Sequence, residues 1–339
     1  MGRPVRLALM TRKPWPGIDF SVELIAEGLL EHLGPEFQGT RVDARFMSKG
    51  LLRRLWLMVE AALRQGDLNH VLGDVHFLTY LLDPRRTILT VLDCAPILGG
   101  MTLRKRLLRL LWYRIPARRC AAITVISEAV KRDLLAQVNI PPGKVHVVPV
   151  AVPAGFEPSP REFNPQRPVI LQIGTRPNKN LPRLVEALAG IPCRLEIIGR
   201  IPEEVRDLLA HHGIEYGNAV GVSNEEMVVR YRNCDLVAFA STFEGFGMPI
   251  IEANRVGRPV VTGNVASMPE VAGHAACLVD PFDVESIRQG FLRVIGDADY
   301  RETLVRNGFE NARRFTVESV AEQYQAVYRR VAAALGRAR

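Results

Sequence analysis

Apolar and polar positions alternate along this chain in a way that separates short apolar runs from amphipathic stretches. Val5–Met10, Arg86–Leu92, Ala121–Ile126, Val145–Val150, Val169–Ile173, Arg194–Ile198, Asp235–Ala240, Arg258–Thr262 and Ala276–Val279 have the length and make-up of buried strands. His70–His76 reads as a short strand and turn, and Asn218–Val222 as a further short strand. Helical spacing marks Phe20–His32, Ser48–Gln65, Met101–Arg119, Glu128–Val138 behind the cap Ser127, Leu181–Leu188 and Glu203–His211. It also marks Asn224–Arg232 behind Ser223, Asp283–Ile295, Tyr300–Arg314 and Val317–Leu335. Strands alternate with helices in both halves, which predicts an α/β chain of two doubly wound Rossmann-like domains. The proline-rich stretch Pro149–Pro168 reads as their linker, with one domain over 1–155 and the other over 165–315. Ligands of such sheets sit outside the carboxyl ends of the strands, so two facing domains predict a cleft between those ends.

Composition adds little to this until charge is considered. A chain of 339 residues is long for one core and suits two. Its five scattered cysteines share no metal-like spacing and read as buried thiols in a reducing compartment. No apolar run approaches the roughly 18 residues of a membrane span, and the first apolar stretch is too short for a signal peptide, so a cytoplasmic protein is expected. The net charge of +8 is one-sided: 22 basic against 14 acidic residues through position 160, and 22 against 22 beyond it. Two helical stretches concentrate it. Residues 48–65 set Leu51, Leu52, Leu55, Met58, Val59 and Leu63 against Lys49, Arg53, Arg54 and Arg64. Residues 101–119 set Leu103, Leu107, Leu110 and Leu111 against Lys105, Arg106 and Arg109. These are either solvated faces or a surface for anionic lipid headgroups or an acidic lipid-linked substrate, which would make the protein peripheral on the inner face of a membrane. No aromatic-interleaved basic run or groove-binding motif points to nucleic acid.

The candidate chemistry centres on residues 241–257. After the apolar run ending at Ala240 comes a loop with Gly245 and Gly247, then Pro249 where a helix begins and Gly257 where it ends. Glu244 therefore lies on a loop and Glu252 on the following helix, with backbone N–H groups of a helix N-terminus between them. Carboxylates accept from sugar hydroxyls and N–H groups donate to phosphate oxygens. A second loop, Gly174 to Asn180, brings Arg176 and Lys179 to another helix start, and Arg200 ends the next strand after Gly199. Two cations facing an anion-type loop make a site for a diphosphate. In the first half, Gly17 precedes a helix at a position where a backbone or ligand could approach closely.

G-T-R-P-N-K-N-L from 174, E-G-F-G-M-P-I-I-E-A from 244, G-R-P-V-V-T-G-N-V-A-S-M-P-E-V-A-G from 257 and L-V-D-P from 278 together resemble the second domain of family-four retaining glycosyltransferases of the GT-B fold, including an E-x7-E pair at Glu244 and Glu252. The first half resembles that family more loosely, through F-S-V-E from 20, N-H-V-L-G-D-V-H from 69, T-I-L-T-V-L-D-C from 87 and V-I-S-E from 125. The resemblance implies a hexose-type transfer from a nucleotide-diphosphate sugar to a glycan or lipid-linked acceptor in surface polysaccharide biosynthesis. It implies that Arg176 and Lys179 hold the donor diphosphate and that Glu252 binds the ribose hydroxyls. Glu244 and the backbone of Gly245, Phe246, Gly247, Met248 and Pro249 would meet the donor sugar and distal phosphate. Gly174 and Arg200 would complete the donor loops, and Gly17 would approach the phosphates from the other domain. The last helix, Val317 onward, would pack back on the first domain.

One position departs from the pattern. Relatives often carry His-Asp where this chain has Leu92-Asp93, and leucine makes no hydrogen bond. Either Asp93 or His76 serves the sugar, or the donor differs at the hydroxyl concerned, or activity is weak. Two other functions therefore stay open beside transfer: a donor-binding, catalytically weak partner subunit, and a sugar-nucleotide epimerase. No His/Cys cluster calls for a metal or other cofactor, so leaving-group charge falls to Arg176, Lys179 and backbone dipoles.

Overall fold

Two parallel six-stranded sheets organise the computed structural model, which describes residues 3–13, 21–100 and 102–337. The first contains β1 (Val5–Thr11), β2 (Phe37–Asp43), β3 (Leu68–Val71), β4 (Thr87–Val91), β5 (Ala122–Val125) and β6 (Val145–Val147), ordered β2-β1-β3-β4-β5-β6. The second contains β7 (Val169–Ile173), β8 (Arg194–Ile198), β9 (Glu215–Ala219), β10 (Leu236–Phe239), β11 (Val260–Gly263) and β12 (Cys277–Val279), ordered β12-β11-β10-β7-β8-β9. Helices α1 (Ser21–Glu31), α2 (Leu51–Leu63), α3 (Leu103–Leu108), α4 (Ile115–Arg119) and α5 (Glu128–Gln137) accompany the first sheet. A π-helical turn, Arg109–Arg114, joins α3 to α4 in one rod. Helices α6 (Leu181–Leu188), α7 (Glu203–His211), α8 (Asn224–Asn233), α9 (Met248–Val256), α10 (Met268–Ala272), α11 (Val284–Gly296) and α12 (Ala298–Ala312) accompany the second, and α13 (Val317–Arg337) ends the chain.

The strands read most easily in the sequence are the ones buried on both faces. β4, β5 and β10 are buried at every residue, as a parallel sheet covered by helices requires. β2 gives no such signal. It is an edge strand, mostly half-exposed, whose sequence F-Q-G-T-R-V-D holds no apolar run. β9 lies at the opposite edge of its sheet and begins at Glu215, earlier than the apolar residues near 219 suggest. The caps expected at Ser127 and Ser223 form: Ser127 accepts from Val130 N–H, and Ser223 makes a full capping box with Glu226.

The chain divides into two compact units, Met1–Ala151 with Val317–Arg339, and Val152–Thr316. The proline-rich stretch is not a bare linker, because much of it is strapped to the second unit. Val152 N–H donates to Phe315 O, Phe156 is buried with its ring edge-on to Tyr231, and Ser159 N–H donates to Val256 O. The buried Arg258 guanidinium donates to the carbonyls of Ser159, Cys234 and Arg232, which consumes its charge-assisted bonds in structure. Among the described residues no helix is long and apolar enough to cross a membrane.

Helix α13 joins the first unit through a buried polar seam. Gln325 receives Gly34 N–H at 2.6 Å and donates to His32 O. Tyr328 lies 2.6 Å from His70 Nδ1, and His70 Nε2 lies 2.7 Å from Thr90 Oγ1 on β4. Burial lowers the His70 pKa from 6.5 to about 3, so the imidazole is neutral. An unfolded chain takes up this proton near 6.5 and the native state only near 3. Between those values the unfolded state binds more protons, so stability is lost as pH falls, by up to about 1.4 kcal/mol per unit. Urea midpoints at pH 7, 6 and 5 should therefore decline more steeply in the wild type than in His70→Gln, which cannot titrate. Equal slopes would remove His70 as the acid-sensitive group.

Candidate functional site

The second sheet has the order in which the strands run outward from a central pair, β7 and β10, in opposite directions. That pair is the topological switch point, and the loops leaving its carboxyl ends diverge to leave room for a ligand. These are the loops at 174–180 and 241–247. Thr242 N–H donates to Asn178 O, and the Asn178 amide donates to Phe243 O and to Glu244 Oε1. Ser267 Oγ ties the same loop from beneath, near the carbonyls of Glu244 and Phe246 at 2.9 and 2.7 Å. Thr175 Oγ1 donates to Arg200 O at 2.7 Å, which joins the loop after β8 to the set.

Lys179 and Glu244 meet directly. Nζ lies 2.7 Å from Glu244 Oε1, with both side chains largely shielded from water. The lysine stem needs the glycine beneath it: a Cβ on Gly174, whose φ is +86°, would sit 2.9 Å from Lys179 Cε. Its ammonium stands 4.7 Å from the centre of the Phe239 ring. The cation is therefore held from three sides at the mouth of β7 and β10. Arg176 opens the same short turn and is exposed, and the Arg200 side chain is exposed as well.

Helix α9 begins at this point. Gly247, at φ +114°, turns the chain in a conformation that favours glycine. The opening N–H groups of a helix have no acceptor inside it. Here they belong to Gly247 and Met248, since Pro249 has no N–H and Ile250 N–H already donates to Gly247 O. One expectation needs correcting. Pro249 cannot donate to a phosphate and instead fixes the first turn. The Phe246 side chain is buried, edge-on to Phe315, so it packs the loop and leaves only its backbone to a ligand.

Glu252 is partly buried on α9, where Oε2 accepts from the hydroxyl of the fully buried Tyr231 at 2.5 Å. Burial raises its pKa from 4.5 to about 7, against the lowering effect of the Tyr231 hydrogen bond and of Lys179. In the sequence Tyr231 shows only as a helix residue, and an aromatic on the inner face of α8 carries no other signal. Asn178 likewise gives no signal, being one polar residue among several in its loop.

The first unit holds the remaining candidates in a pocket of about 470 Å³ at the carboxyl ends of β3 and β4. Leu92, Asp93 and His76 all line it. His76 is buried and lies 2.7 Å from Trp112 O, and burial holds its pKa below the usual value. A carbonyl only accepts, so Nδ1 carries the proton and Nε2 is left as an acceptor. Asp93 Oδ1 receives Ala95 N–H. Gly17 lies outside the described residues. Among the described residues no group of three or more His, Cys, Asp or Glu side chains is placed to hold a metal ion.

Residues 156–311 match the family described as Glycosyl transferases group 1, and residues 23–155 match Glycosyltransferase Family 4. The chain is similar to O-antigen chain mannosyltransferase B of Escherichia coli, at 29% identity over 224 residues, 59% of this chain and 58% of that one. It is similar to MMP alpha-(1->4)-mannosyltransferase of Mycolicibacterium hassiacum, at 28% over 230 residues, 64% of this chain and 56% of that one. It thus spans a little over half the length of these curated relatives. Among solved structures, sucrose-phosphate synthase from Thermosynechococcus elongatus shares the fold, with a TM-score of 0.77 at 17% identity over 98% of this chain and 100% of that one.

Proposed function

We propose that this chain, which belongs to the family-four glycosyltransferases and has their GT-B fold, moves a hexose from a nucleoside-diphosphate sugar to a glycan or lipid-linked acceptor in surface polysaccharide assembly on the cytoplasmic side. The observation that carries this reading is the Lys179–Glu244 pair at the switch point, beside the α9 N-terminus and Glu252. Lys179, Arg176 and the N–H groups of Gly247 and Met248 meet the diphosphate, and Glu252 accepts from the ribose hydroxyls. A donor phosphate competes with Glu244 for Lys179 and releases that carboxylate to accept from sugar hydroxyls. The C–O bond between sugar and diphosphate then breaks as the acceptor oxygen bonds to the same carbon. The acceptor proton passes to an oxygen of the departing diphosphate, on the same face of the sugar, so the anomeric configuration is retained. In this scheme the leaving-group charge is met by protein cations and amides, without a metal.

Both curated relatives are named mannosyltransferases, which makes mannose donors the first to test. Melting of the full chain with GDP, UDP and ADP checks the nucleotide half of the reading. A ligand at a hundred times its Kd stabilises the native state by about 2.7 kcal/mol, so one of the three should raise Tm by several degrees, and Glu252→Ala should abolish the shift. No shift with any nucleoside diphosphate would sink the site. The presence of Leu92 beside His76 and Asp93 favours a second reading, a donor-binding subunit without its own turnover. Donor binding together with transfer to a cell-derived acceptor extract would dismiss that alternative.

A further inference from the structure

Two helices of the first unit turn their apolar residues outward. In α2, Leu57 and Ala61 are buried, whereas Leu51, Leu52, Leu55, Trp56, Val59 and Leu63 are exposed, Leu52 and Leu63 by 81% and 83%. With 3.6 residues per turn these six form one stripe, on the side away from the buried pair. The apolar spacing legible in the sequence is therefore mostly the helix's outer face, not its packed one. In the rod from Leu103 to Arg119, Leu103, Leu107, Leu110 and Leu111 are exposed as well.

The two helices adjoin. The Arg54 guanidinium of α2 lies 4.7 Å from the Trp112 ring of the rod, and Ser48, Arg54, Arg104, Leu108 and Trp112 line the same pocket. Charge is as one-sided as hydropathy. Residues 44–66 and 100–120 together carry 12 lysines and arginines against one carboxylate, Glu60, and that one is paired with Arg64 at 3.0 Å. Water alone would select polar side chains at these exposed positions, and a purely polyanionic partner would select cations without the leucines. Leucines and a tryptophan set among cations suit the boundary between acyl chains and anionic headgroups.

We propose that α2 and the Leu103–Arg119 rod form a surface that lies on an anionic phospholipid bilayer. Its apolar side chains enter the headgroup boundary, its cations meet lipid phosphates, and the pocket lined by His76, Leu92 and Asp93 opens at the lipid surface. This goes beyond the transfer reading and does not depend on it, since binding is measured without donor or acceptor.

The test is flotation of the full chain with vesicles of phosphatidylcholine alone or mixed with phosphatidylglycerol. The mixed vesicles should capture the protein and the neutral ones should not, and capture should fall as salt rises. A combined Leu52→Ser, Leu55→Ser, Leu107→Ser variant should bind at least roughly tenfold more weakly at an unchanged Tm, since each residue is exposed. Arg53→Gln and Arg106→Gln should each cost roughly fivefold. Absent capture, equal capture by neutral vesicles, or capture indifferent to the leucine changes would overturn the proposal. So would a leucine-dependent dimer in sedimentation velocity without vesicles, which would assign the face to a second copy of the chain.

Discussion

On the proposed reading, Lys179→Ala should lower kcat/KM for the sugar donor by about 10²- to 10³-fold, the cost of removing one preorganised group that stabilises developing negative charge. The side chain is placed for that role before any ligand arrives. Its stem rests on Gly174, its ammonium faces the Phe239 ring, and Glu244 anchors it at 2.7 Å. Charge on the diphosphate grows as the glycosidic bond breaks, so the loss falls more on kcat than on KM. Lys179→Arg should not restore activity, because a planar guanidinium cannot follow the ammonium's path between Gly174 and Phe239. The variant should still fold, since Asn178 continues to donate to Glu244 Oε1. Stopped assays of donor hydrolysis and transfer measure both effects. A variant within threefold of wild type would show that the diphosphate is held elsewhere.

The same lysine shows what the sequence makes legible. β7, β8, β10 and the helices after them follow from apolar runs of strand length, and a doubly wound sheet places their loops together whatever the loops contain. That logic brings Lys179, Glu244 and Glu252 into one neighbourhood. It does not reveal who holds whom. Asn178 and Ser267 are ordinary loop residues until the fold brings them to Glu244, and Tyr231 lies 21 positions from Glu252 on a different helix. Edge strand β2 escaped because solvent takes the place of one neighbour and relaxes the demand for apolar residues. α2 misled in a more useful way. Periodicity reports that a helix has an apolar side, but not whether protein, water or lipid covers it, and here the buried contacts come from Leu57 and Ala61.

Glu252 carries the second large effect, through its protonation. If Glu252 binds ribose as proposed, the carboxylate must be ionised to accept from two hydroxyls, yet burial holds its pKa at about 7 in the ligand-free protein. kcat/KM reports groups of the free enzyme, so it should rise with pH through about 7 and stand roughly tenfold below its plateau at pH 6. Glu252→Gln should abolish that limb and lower the plateau by about 10²-fold, because an amide cannot accept from both hydroxyls through two anionic oxygens. Tyr231 separates a positioning role from simple packing. Its hydroxyl donates to Glu252 and favours the ionised form. Tyr231→Phe removes that donor while keeping the ring that packs on Phe156, so the limb should move to higher pH with the plateau nearly kept. A lower plateau with the limb unmoved would make Tyr231 a structural residue only. A wild-type profile flat from pH 6 to 8 would take Glu252 out of donor recognition.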